Sequence, residues 1–201
     1  LMREAKMSFR TEPRDLFKDL IGEQESETSR KFGHGDRQAI RPDFVVYSRG
    51  SEPELMDVKT MSRSERYSGI KSEVDRRAVN NRGRDVDTKY QWKAKKADEK
   101  YCGWNMRMPR GPVHTRLVTA FSGRVRGLVV GFMGEVSDGL RELMGEMADR
   151  MANKWRERGA RDRKEEKATA MARIKRVIGI TAVRGMARLK IERSRWVCLS
   201  E

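Results

Sequence analysis

The sequence predicts an α/β protein, a small sheet flanked by helices and followed by a basic helical C-terminal extension. Three observations carry this expectation. Residues 42–60 form two short apolar strands separated by a hairpin-sized turn, residues 125–132 form a further apolar run, and helical periodicity stands before, between and after them. The expected division is a core over residues 1–136 and an extension over residues 137–201.

Residues 1–10 are basic and irregular and read as an arm. Pro13 suits the first turn of a helix, and Leu16, Phe17, Leu20 and Ile21 then repeat on one face until Gly22. The run Glu23-Gln24-Glu25-Ser26-Glu27 is acidic in a basic chain; it reads as a solvated helix end or as a source of an extra carboxylate. Phe32 to Asp36 looks like a turn, with His34 a loop residue, before a strand around Arg37 to Ile40.

The central pair of strands follows. Arg41-Pro42-Asp43 leads into Phe44, Val45, Val46 and Tyr47. After the turn at Ser48 to Ser51, Leu55, Met56 and Val58 supply the second strand's apolar content around Asp57 and Lys59. From Met61 to Asp85 the chain is polar and basic, with Arg63, Arg66, Arg76 and Arg77 among its cations. A loop of this length is either a solvated insertion or a segment ordered by a phosphate-bearing ligand.

Residues 86–101 read as a helix, with Val86, Tyr90, Ala94, Ala97 and Tyr101 on one stripe and Lys89, Lys93, Lys96 and Lys100 forming a ridge beside it. Gly103 ends it, and Trp104 to Pro112 is an irregular connection. Val125 to Phe132 reads as a buried strand. Ser137 then suits an N-cap for a helix whose apolar face is Leu140, Leu143, Met144, Met147, Met151 and Trp155, a methionine-rich stripe that belongs in a core. Arg161 to Trp196 is helical in pattern, with a break expected at Gly179.

Charge points to the partner. The chain of 201 residues carries 45 Lys/Arg against 30 Asp/Glu, a net +15, and a polyanion is the natural counterpart. Residues 149–201 alone hold sixteen Lys/Arg against seven Asp/Glu, so the extension is expected to face a phosphate backbone, DNA or RNA. No basic segment also carries a long apolar face, which argues against a membrane partner. Two cysteines, Cys102 and Cys198, and two histidines signal neither a disulfide framework nor a structural zinc. The reading is an intracellular protein, nuclear in a eukaryote; the chain opens at Leu1, as a piece of a longer polypeptide would.

Asp43 and Asp57, brought side by side with an ammonium nearby, are the residue types of a divalent-metal site that hydrolyses phosphodiesters. The acidic-x-Lys string alone is uninformative, because it occurs at six places, beginning at Glu4, Asp57, Asp87, Asp98, Asp162 and Glu165. Only the copy at Asp57 closes an apolar strand that follows a Pro-Asp strand by a hairpin-sized gap. The plain alternative is an ordinary cross-sheet ion pair at Asp57 and Lys59, with Asp43 capping a turn.

Pro42-Asp43 followed by Asp57-Val58-Lys59 resembles the signature of the PD-(D/E)XK nuclease superfamily, and the order helix, strand, strand, strand, helix, strand resembles its core. More narrowly, Arg41-Pro42-Asp43, Asp57-Val58, the Lys-Tyr-bearing helix and Leu128-Val129-Val130-Gly131 resemble the restriction-like endonuclease domain of non-LTR retrotransposons, over roughly residues 12 to 150. The resemblance implies a restriction-endonuclease-like core with a mixed sheet and a Mg²⁺- or Mn²⁺-dependent DNA endonuclease. Asp43, Asp57 and the main-chain carbonyl of Val58 would hold the ion, and Glu23 would add a ligand. Lys59 would orient the attacking water and offset phosphate charge; that retroelement group usually takes its lysine from the later helix, so Lys93 is the other candidate. Arg63, Arg66, Arg76, Arg77, Lys89 and Lys96 would contact the nucleic acid, and cutting both strands would call for a homodimer. The competing class is a non-catalytic nucleic-acid-binding or ribonucleoprotein component on the same basic surface.

Overall fold

The central strands carry near-continuous apolar runs, Phe44 to Tyr47 and Leu128 to Val130 among them, because helices cover both sides of the sheet. The computed structural model describes residues 1–11, 13, 16–21, 40, 42–47, 52–61, 72–105, 110–131, 134–157 and 162–198. Their elements run β1 (Ser8–Thr11), α1 (Lys18–Ile21), β2 (Phe44–Tyr47), β3 (Glu54–Thr60), α2 (Ser72–Tyr101), α3 (Pro112–Thr119), β4 (Val125–Val130), α4 (Asp138–Arg156) and α5 (Arg163–Cys198). The fold is α/β with a four-stranded mixed sheet in the order β1-β2-β3-β4. β1, β2 and β3 pair antiparallel; β4 returns parallel to β3 through the α2 crossover.

Alternation along the strands sorts two cores. Val45, Leu55 and Val125 face α2 and α3, where Val86, Tyr90, Ala94, Val113 and Leu117 cover them. On the opposite face Val46, Met56 and Leu128 meet Leu143, Met144, Met147 and Met151 of α4, and Ala170 and Ile174 of α5. The methionine stripe is core, as its spacing suggests. α4 begins where expected: the Ser137 hydroxyl accepts from the Leu140 N–H as N-cap. Arg126, buried at the rim, ties β3 and α4 together through Glu54 at 2.6 Å and Glu146 at 3.0 Å.

α2 crosses β4 in contact with its main chain. A Cβ on Gly127 would stand 2.8 Å from the Gly83 Cα and 2.9 Å from its carbonyl carbon, so the strand can approach the helix only as glycine. The outer edge of β4 is also occupied. Asp87 of α2 accepts from the Val125 N–H at 2.9 Å; the Ser137 hydroxyl accepts from Val129 N–H at 3.0 Å and donates to the Gly127 carbonyl at 2.9 Å.

Several sequence expectations need correction. The arm over residues 1–10 contains β1, recruited because its backbone pairs with β2 from Ser8↔Tyr47 to Thr11↔Phe44. The first helix is a single turn, with Pro13 and Leu16 outside it. Of the strand expected at Arg37 to Ile40, residues 37–39 lie outside the described residues and Ile40 belongs to no strand. Residues 72–85, read as loop, are the first half of α2; few apolar positions are needed there because the helix meets β4 through Val79 and through the bare backbone at Gly83. α3 was not foreseen, and α5 runs through Gly179 unbroken, where open space surrounds the glycine and the helix bears a cost of about 1 kcal/mol relative to alanine.

α3 is anchored by a buried acid. Asp98 accepts from the N–H groups of Val113 at 2.7 Å and His114 at 2.9 Å, satisfying two amides that the helix start leaves open. Gly111 lies against that carboxylate, where any Cβ would collide with it. Gln91 donates to the Gly123 carbonyl, so its oxygen faces His114 Nε2 at 2.7 Å and fixes the proton there. His114 Nδ1 is then a buried acceptor without a partner among the described residues. Burial, with the charges of Lys95 and Arg110, holds His114 below its ordinary value of about 6.5. Because the unfolded chain takes up this proton first, stability is expected to fall as pH drops through about 6.5, and His114→Gln should flatten that slope in urea midpoints measured between about pH 8 and pH 5.

Asp75, in the first turn of α2, is 1% exposed, and among the described residues neither of its carboxylate oxygens has a hydrogen-bond partner. A neutral amide is cheaper to bury than a charge, so Asp75→Asn is expected to raise the unfolding free energy by about 1 kcal/mol in chemical denaturation.

Candidate active site

The β2–β3 register sets Phe44 opposite Met56, so the next residue outward on each strand, Asp43 and Asp57, also face each other. Both belong to the face that α2 covers, with Val45, Leu55 and Lys59 in the same alternation. The Asp43 carboxylate accepts from the Val58 N–H at 2.6 Å. In a strand a residue's N–H and C=O leave on the same side, so the Val58 carbonyl is also directed toward Asp43, beyond the end of the β2 ladder. Lys59 Nζ stands 2.6 Å from Asp57 Oδ2, its side chain 40% exposed against 4% for the aspartate.

A residue that the strand motifs did not indicate completes the group. Tyr90 of α2 is 4% exposed, and its hydroxyl donates to Asp57 Oδ1 at 3.2 Å. Burial first, then the charge of Asp57, the hydrogen bond to it and the charge of Asp43, push the phenol far above its ordinary range. It therefore stays protonated and fixes the orientation of Asp57. Lys93 Nζ lies over the Tyr90 ring, 4.9 Å from its centroid. The sequence placed Tyr90 on an apolar stripe, and the only hint of more was chemical: a buried tyrosine needs a partner for its hydroxyl.

Tyr90→Phe leaves Asp57 Oδ1 without this donor and is expected to lower stability by about 1–2 kcal/mol in urea unfolding. The sign of its pH dependence follows from the raised phenol: the folded chain holds a proton that the unfolded chain releases near pH 10, so wild type loses stability above about pH 10 and the variant should lose less.

The remaining sequence candidates are dispersed. Arg76 and Arg77 are exposed near the start of α2 and Lys89 midway along it; Lys96 is half-buried and pairs with Glu99 at 2.6 Å. Glu23, Arg63 and Arg66 lie outside the described residues. Among the described residues no three His, Cys, Asp or Glu side chains cluster as a metal would require. No helix among them is long and apolar enough to cross a membrane. No protein-family model, curated protein or solved structure matches the chain.

Proposed function

We propose that this chain is a metal-dependent DNA endonuclease with a restriction-endonuclease-like core, of the kind carried by non-LTR retrotransposons. The observation that carries the reading is the juxtaposition of Asp43 and Asp57 across β2 and β3, with Lys59 at 2.6 Å from Asp57 on the same face. The sheet order supports it: an antiparallel three-stranded half, a helical crossover, and a fourth strand parallel to the third.

The donor set suits Mg²⁺ or Mn²⁺, hard ions that keep several waters and lean on one or two carboxylates. Asp43 Oδ1 carries no hydrogen bond among the described residues, its Oδ2 being the atom that accepts from Val58. When bound, the ion would polarise the scissile phosphate and acidify a coordinated water. Tyr90 holds Asp57 in one rotamer, so the carboxylate needs no reorganisation. Lys59, half exposed at the rim, supplies positive charge where a phosphate oxygen would gain negative charge, and Lys93 adds a second ammonium above Tyr90.

A second reading has its own observation. Both oxygens of Asp57 are already engaged, one by Tyr90 and one by Lys59, which is how a satisfied structural ion pair looks. In that case the chain is a non-catalytic nucleic-acid-binding component. Plasmid nicking in Mg²⁺ or Mn²⁺ separates the two: wild type should nick, Asp57→Ala should not, and Lys59→Ala should nick far more slowly. Equal cleavage by all three, or binding without cleavage by wild type, would overturn the enzyme reading.

A further inference from the structure

On the sheet face opposite the carboxylates, α5 leaves a cavity of about 890 Å³ between itself, the first turns of α2 and α4, and the turn at Gly134 to Val136. Its floor is apolar, made by Val130, Val136, Met144, Met171 and Ile178. Its rim is ionic, and the cations converge from three helices: Arg76 from α2, Arg141 from α4 and Lys175 from α5. Arg76 and Lys175 have no ion-pair partner among the described residues; Arg141 reaches Asp138 at 3.4 Å. The two helix starts add the positive ends of their dipoles. Among the described residues nothing stands within 4 Å of where a Cβ on Gly134 or Gly179 would be, so these residues leave room at the mouth.

The rim also holds Glu73 and Glu135, and Asp138 draws on Arg141, so Arg76 and Lys175 are the cations best placed for an anion. Two such cations from facing helices suit a single phosphodiester, which carries one negative charge. An apolar floor beside it suits the face of a base. We infer that this cavity seats one nucleotide of a nucleic-acid strand, its base on the methionine-lined floor and its phosphate against Arg76, Arg141 and Lys175. The inference rests on nucleic acid being the partner, but it places a contact on the opposite side of the sheet from Asp43 and Asp57 and holds whether or not the chain cleaves.

The test is fluorescence anisotropy of a labelled single-stranded oligonucleotide with the full chain and a chelator present, so that no cleavage intervenes. Arg141→Ala/Lys175→Ala should weaken binding roughly ten- to a hundredfold. The control double variant Arg116→Ala/Arg124→Ala removes the same charge from residues that pair with Asp19 and Glu142 outside the cavity lining, and should weaken binding less than about threefold. An abasic strand of equal length should bind wild type about tenfold more weakly than the ordinary strand. Equal losses in the two double variants overturn the cavity as a phosphate contact while leaving nucleic acid as the partner. Equal binding of the abasic strand overturns the seat for a base. If wild type binds no oligonucleotide, the cavity and the nucleic-acid reading fall together; if it binds as expected yet never nicks, the cavity stands and the nuclease falls. Because Arg76 and Lys175 are exposed, Arg76→Glu/Lys175→Glu gives a second variant that keeps the fold and should abolish the cavity's share of binding.

Discussion

Asp57→Asn is expected to lower the rate of plasmid nicking by at least about a thousandfold while leaving DNA binding nearly unchanged. The amide keeps the shape of the carboxylate, and its oxygen can still accept from Tyr90, so the strand and the helix above it stay in place. What disappears is the negative charge that would hold a cation opposite Asp43 and that now pairs with Lys59 at 2.6 Å. Asp43→Asn should act similarly, because the Val58 N–H can still donate to its side-chain oxygen. Lys59→Met should cost less, about a hundredfold, since an ammonium stabilises charge without creating the site. Nicking rates alongside binding isotherms check all three; cleavage at the wild-type rate in Asp57→Asn would remove the basis of the enzyme reading.

Gly127→Ala is expected to cost about 3 kcal/mol or more of stability. The new Cβ would meet the main chain of Gly83, and helix backbone cannot rotate away as a side chain can. The converse substitution is far milder: a Cβ on Gly83 meets Ser137 Cβ at 3.3 Å and the Gly127 carbonyl oxygen at 3.4 Å. Gly83→Ala should therefore lie within about 1 kcal/mol of wild type, helped by better helix propensity. Gly127 is also the residue of β4 directly paired with Asp57. Moving β4 away from α2 would shift the carboxylate under Tyr90, so loss of stability and loss of nicking should travel together in Gly127→Ala. Urea unfolding of the two alanine variants reads this asymmetry directly.

The hairpin strands, the strand at Val125 and the helix after Ser137 were legible because each announces itself locally, by apolar runs between turn residues or by a capping serine before a periodic stripe. β1 was not, since Ser8 to Thr11 is mostly exposed and becomes a strand only through the backbone of β2. The first half of α2 was hidden for a related reason: a helix that meets a strand through a glycine needs no apolar stripe there. Of the site, the two aspartates and Lys59 could be read from strand alternation, which puts Asp57 and Lys59 on one face. Tyr90 could not, because its hydrogen bond spans 33 residues and depends on how α2 lies across the sheet.

The occupied margin of β4 bears on how copies of this chain can meet. A bare strand margin recruits other strands and is a common route to aggregation. Here Asp87 and Ser137 hold the outward amides of Val125 and Val129 and the carbonyl of Gly127, so an incoming strand would find these groups already taken. Continuous sheet growth through that side is blocked without spending a proline or a bulge. If two copies of the chain meet, the described residues leave their helices and the four-residue margin at β1 for the contact, and a net charge of +15 sets the copies against one another.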